Sequence, residues 1–146
     1  MSRFLTIAVT SIAMLVLFSS TSLALSPFKK SFDEKYVKNS GDAEFQTAFR
    51  KQGCYVCHVK GQKKEFVNAY GHELAKLIEG NAKERLDAAR KNGKAAQKDE
   101  EEKILEELKA VFTKVETVKS PDGVTYGEFF KSHKLPALEG KKFSTK

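Results

Sequence analysis

The chain has 146 residues, 26 of them Lys or Arg and 19 Asp or Glu, for a net charge of +7, and 40% of its residues are hydrophobic. That length suits one domain around one core. Its two cysteines exclude a zinc site built from two cysteine pairs, and the basic excess points to an acidic protein partner or an anionic surface, and equally to solubility alone.

Met1 to Leu25 reads as a secretory signal segment. Arg3 supplies the positive start, Phe4 to Phe18 is apolar apart from Thr6, Thr10 and Ser11, and Ser22-Leu23-Ala24 offers small residues for cleavage. Removal after Ala24 is expected, leaving residues 25–146 in the periplasm or an equivalent extracytoplasmic compartment with no membrane span. Retention as an uncleaved anchor is the alternative, disfavoured by the short apolar run. Both methionines, Met1 and Met14, lie in this segment.

Residues 25–40 mix Lys, Ser and Phe without a clean period and read as an extended N-terminal arm. The spacing of Phe28, Phe32 and Tyr36 leaves room for a short amphipathic turn. The domain proper is expected over 41–146. Asp42 is the N-cap of a helix reaching about Gly53, with Phe45 and Phe49 on one face.

Cys54-Tyr55-Val56-Cys57-His58 follows, with the form Cys-x-x-Cys-His. This is the covalent attachment pattern of a c-type haem. Two thiols three apart add across the two vinyl groups of the porphyrin, and the next imidazole reaches the iron. Cys54 and Cys57 are the expected attachment points and His58 the proximal ligand, for one haem c per chain. A zinc site lacks further ligands in paired spacing, and a thioredoxin-like redox pair is expected beside a βαβ pattern. A plain disulfide would close only a very short loop.

After a basic loop at 59–64, a helix is expected from about Glu65 to Glu79, with Phe66, Tyr70, Leu74 and Leu77 in a stripe. Asn81 to Glu84 resembles a capping box opening a second helix that ends near Asn92-Gly93. Residues 93–98 read as a loop. The strongest pattern runs from Asp99 to about Val118, where Ile104, Leu105, Leu108, Val111, Phe112 and Val115 line one face. Residues 81–118 thus form a charged helical insertion. Thr125 caps a short helix through Ser132, Pro136 stops it, and the tail from Leu138 reads as frayed.

The fold class expected is all-α. Its haem pocket is expected from Phe45, Phe49, Phe66, Tyr70, Phe129 and Phe130.

The second axial position has two imidazole candidates. His72 lies about 200° around its helix from Tyr70 and should face water. His133 continues the spacing of Tyr126, Phe129 and Phe130 on one face, which favours it as the distal ligand. Lys, Tyr, water and an open site remain alternatives.

Phe49-Arg50-Lys51-Gln52-Gly53-Cys54-Tyr55-Val56-Cys57-His58 resembles the attachment segment of small, class I-like monohaem cytochromes c. Asn68-Ala69-Tyr70-Gly71, and Thr125-Tyr126-Gly127 through Lys134-Leu135-Pro136, are similar to segments of small exported cytochromes of planctomycetes, including pairs that form heterodimers in anammox bacteria. The resemblance covers about residues 41–140. It implies haem attachment outside the bacterial cytoplasm and single-electron transfer between redox partner proteins.

Two departures stand out. The distal Met-Pro of many class I cytochromes is replaced by His133-Lys134-Leu135-Pro136, and the distal Cys proposed for the heterodimeric relatives is missing from the mature chain. Ligation by two imidazoles would give a lower potential than ligation by Met and His. An open sixth position would instead permit binding of nitric oxide or carbon monoxide. Assembly as a homodimer or heterodimer with another small cytochrome is a further expectation, a peroxidase lacks an evident distal acid–base pair, and no nucleic-acid partner is expected.

Overall fold

The computed structural model describes residues 27–145; the expected signal segment lies outside them. The elements in chain order are α1 (Pro27–Phe32) with a π turn (Asp33–Val37), α2 (Ala43–Gln52) with a 3-10 turn (Gly53–Val56), β1 (Phe66–Val67), α3 (Ala69–Leu77), α4 (Ala82–Lys91), α5 (Lys94–Val115), α6 (Tyr126–Lys131) and β2 (Phe143–Ser144). Among the described residues the regular structure is helical apart from a two-residue antiparallel ribbon, which pairs Phe66 with Ser144 and Val67 with Phe143, and two isolated bridges. No helix among the described residues is long and apolar enough to cross a membrane.

The long helix α5 organises the core. Ile104, Leu108, Val111, Phe112 and Val115 recur at helical spacing and are buried, so one stripe faces inward along the second half of the helix. Helix α4 packs back on α5 across Gly93, whose φ of 104° suits the turn. Arg85 ties this hairpin together. Its Nε donates to Glu100 at 2.7 Å, and its Nη1 donates to Glu107 and to the Glu79 carbonyl, each at 2.8 Å.

Four expectations need correction. The arm at 25–40 is helical from Pro27 and belongs to the core, with Phe32 and Val37 only 2% and 1% exposed. The π turn adds a residue to one turn, closed by Lys38 N–H donating to the Asp33 carbonyl at 2.8 Å, and that extra residue breaks the 3.6 period. Helix α5 begins at Lys94, five residues earlier than Asp99, because Ala95, Ala96 and Gln97 favour helix and Gln97 bonds Glu101 at 2.8 Å.

The third correction is at Glu65, where a strand precedes the helix. Helix α3 starts only at Ala69, capped by Asn68, and leaves Phe66 on β1. The fourth is at the tail, which is held through β2 and through Thr145 N–H bonding the Glu65 carbonyl at 3.1 Å. By contrast α6 occupies its expected span. Thr125 and Glu128 form a reciprocal capping box at its start.

Candidate haem-attachment site

Helix α2 positions the cysteine turn. The Asp42 Oδ1 atom accepts the Phe45 N–H at 2.9 Å, fixing the start of the helix, and Phe45 and Phe49 lie on its buried face. Gly53, with φ 54° and ψ −120°, ends it in a conformation that side-chain-bearing residues rarely adopt. The following 3-10 turn presents Cys54, exposed, and Cys57, half-buried, both as free thiols. The Cys54 carbonyl accepts the N–H of Cys57 at 3.3 Å and of His58 at 3.1 Å, so thiols and imidazole share one turn.

A second element clamps that turn. Asn68, 5% exposed, donates its N–H to the Cys57 carbonyl and its Nδ2 to the Val56 carbonyl, while its Oδ1 accepts the Gly71 N–H, all at 2.9 Å. Gly71 completes the fit. A Cβ there would stand 2.3 Å from the Cys57 carbonyl oxygen, closer than any side chain permits.

His58 leaves the turn along β1, bridging to Val67. Its Nδ1 is buried without a hydrogen-bond partner. Burial lowers its pKa, with the Lys64 charge adding to the effect and the carbonyls of Phe66 and Lys64 opposing it. The ring is therefore held neutral, the form that binds a metal. The Cys57 thiol is pushed up to about 12, by burial first and then by Cys54, and stays protonated.

No family model, curated protein or solved structure matches the chain. The reading of the site therefore rests on its own residues, which suit a c-type haem by the chemistry of the donor set. Two unbridged thiols and a neutral imidazole with an unpartnered buried nitrogen sit in the order that covalent attachment requires.

The six expected pocket residues separate into three places. Phe49, Tyr70 and Phe130 meet in the core around Phe32, whose ring centroid lies 5.4, 5.9 and 5.0 Å from theirs. Phe129 packs on Phe130 at 5.8 Å. Phe45 is buried near the other end of α2, and Phe66 is half-buried in β1. The Tyr70 hydroxyl is buried without a partner, and its pKa is raised by burial first and by Cys57 next.

The distal candidates also lie apart. His133, at φ 55°, has its Nδ1 2.7 Å from Asp42 Oδ2 and stacks on Phe45 at 5.3 Å. It is thus at the start of α2 while the cysteines are at its end, and ten helical residues span about 15 Å. His133 would have to leave Asp42 and Phe45 to meet an iron held by His58. His72 is half-buried rather than open to water, its ring stacked on Phe143 at 4.2 Å.

Sequence reasoning missed two contributors to the site. Asn68 was hidden inside an expected helix, although an Asn before a helical stripe is an N-cap signal. Phe32 carried a signal in its spacing from Phe28 and Tyr36.

Proposed function

We propose that the chain is an exported c-type cytochrome that carries single electrons between redox proteins, with haem c bound through Cys54 and Cys57 and iron held by His58. The observation that carries this reading is the single turn that delivers two free thiols and a neutral imidazole. When bound, the haem supplies an iron that passes between ferric and ferrous states. The chain fixes the turn through Asn68, keeps His58 unprotonated by burial, and excludes water on the core side with Phe32, Phe49, Tyr70 and Phe130. The reading assigns no catalytic residue. Expression with a c-type maturation system, followed by intact mass and the pyridine haemochrome spectrum, tests it. One covalent haem is expected, with Cys54→Ser and Cys57→Ser each leaving a single thioether; a wild-type chain exported without covalent haem would overturn it.

A specific observation favours a second reading. With His133 bonded to Asp42 and stacked on Phe45, and no methionine among the described residues, no such side chain there stands ready as a sixth ligand, which suits a protein that binds nitric oxide or carbon monoxide. Under that reading the reduced protein binds carbon monoxide at once and His133→Ala leaves its spectrum unchanged. Under the electron-carrier reading with His133 as distal ligand, the same substitution abolishes the low-spin spectrum.

A further inference from the structure

The chain after α6 returns to the cysteine turn and is fastened there at four points. The carbonyl of Pro136, a buried residue, accepts from Gln52 Nε2 at 2.6 Å, and the same Nε2 donates to the Tyr55 carbonyl at 3.2 Å. The Leu138 carbonyl accepts the Lys60 N–H at 3.0 Å. Phe143 and Ser144 pair with Val67 and Phe66, and Thr145 donates to the Glu65 carbonyl through its N–H at 3.1 Å and its Oγ1 at 3.3 Å. These partners all lie from Gln52 to Val67, the stretch that carries Cys54, Cys57 and His58.

Two of the four points, Lys60 and Glu65, grip the ends of the loop beside His58. The Lys64 and Phe66 carbonyls lie against the His58 imidazole, and the Lys64 Nζ atom stands 4.7 Å over the Tyr55 ring. Glu65, the residue between those two carbonyls, is the one that Thr145 holds. The Val59 N–H closes the loop on the Phe66 carbonyl at 3.2 Å. The buried Nδ1 atom of His58 thus lies beneath a loop that the tail keeps in place.

The tail is held lightly enough to let go. Between the anchors at Leu138 and Phe143, residues 139–142 are exposed, and Gly140 takes a φ of 137° that favours glycine. A ribbon two residues long is marginal alone, and Phe143 adds a half-buried ring stacked on His72 at 4.2 Å. So few contacts open locally without unfolding the helices around α5.

We propose that residues 136–145 are a strap that fastens the 59–65 loop over His58 and must release it before a porphyrin reaches the imidazole. The proposal rests on the reading of His58 as the iron ligand and adds a gate to it. A haem-free chain so strapped keeps its ligand covered until the loop opens.

Two measurements on the full haem-free chain test the strap. One is acylation of each histidine by diethyl pyrocarbonate, resolved by peptide mass; the other is the rate at which added ferrous haem is captured, followed in the Soret band. Phe143→Ala with Thr145→Pro removes the stacked ring and the Thr145 N–H and so frees the far end, while Gln52→Ala frees the near end and serves as the second variant. Circular dichroism identifies the folded ones. Each folded variant is expected to speed acylation of His58 by about fivefold or more, the equivalent of one net hydrogen bond, and to change His133 by less than about twofold. Haem capture should accelerate in step, since opening precedes binding. Unchanged acylation of His58 in either folded variant, an equal rise at His133, or haem capture at the wild-type rate would overturn the strap. The two readouts separate the two ideas. Strap variants that uncover His58 in a chain that captures no haem sink the cytochrome reading alone, and haem capture indifferent to the strap sinks the strap alone.

Discussion

Phe32 lies face to face with Phe49, their ring centroids 5.4 Å apart and their planes within 14°. The contact joins α1 to the helix that ends in the cysteine turn. Phe32 also meets Tyr36, Tyr70, Phe112 and Phe130 at 4.9 to 6.4 Å, so the segment before α2 supplies the ring at the centre of the core. Phe32→Ala should therefore cost about 3–5 kcal/mol of unfolding free energy. Urea denaturation checks this, and a loss below about 0.5 kcal/mol, as on a surface segment, would show that α1 is not part of the core.

Legibility in the sequence followed the locality of the physics. The stripe of α5 and the Thr125–Glu128 box of α6 are short-range patterns, and the helices stand where those patterns put them, apart from the early start of α5. The Cys54–His58 spacing is likewise local chemistry. The spacing of Phe28, Phe32 and Tyr36 is visible in the sequence, but the π turn at Asp33–Val37 breaks the period just after Phe32, so the place of this segment in the core is not. The surroundings of His133 are not legible for a different reason: the helix ends before it, and its direction is set by a positive φ and by Asp42, 91 residues away in sequence. Phe143 finds its place only through a strand partner, a contact that no local pattern announces.

Asn68 links the turn and α3 by three hydrogen bonds, two of them from its side chain. Asn68→Ala removes an N-cap, worth about 1 kcal/mol, and leaves the buried Val56 carbonyl without its donor, which costs about 1–3 kcal/mol more. Thermal unfolding of the protein without haem should show the sum as a lowered Tm. Gly71→Ala should also destabilise it, by about 1–3 kcal/mol, since its Cβ collides with backbone rather than with a side chain that can move. Wild-type stability in both variants would mean that the clamp is not formed.

The start of α2 sets an acid limit. The Phe45 N–H, and then His133, hold the Asp42 carboxyl below its ordinary value of 3.8. A depressed folded-state pKa contributes stability that is present above the unfolded value and lost as pH falls through the folded one. The urea midpoint of the wild type should therefore drop below about pH 4 relative to Asp42→Asn, which keeps the cap but cannot titrate. Parallel curves for the two proteins across that range would refute the contribution of Asp42.

The His72 ring stacks on Phe143 at 4.2 Å with planes 14° apart, and Lys141 Nζ lies 5.3 Å over the other partner of that stack. Phe143 is also the strand partner of Val67, which on its other side bridges to His58. The tail is thus coupled through β1 to the segment that carries the imidazole. A double-mutant cycle with His72→Ala and Phe143→Ala should give a coupling of about 0.5–1.5 kcal/mol, as for other stacked ring pairs. Amide hydrogen exchange adds a readout specific to the ribbon, for Phe143→Ala should raise exchange at Thr145 and Val59, whose N–H groups bond the Glu65 and Phe66 carbonyls, more than at Leu108 in the core. Additive single losses with no change in exchange at those amides would show that the tail rests on the surface without holding the segment beneath it.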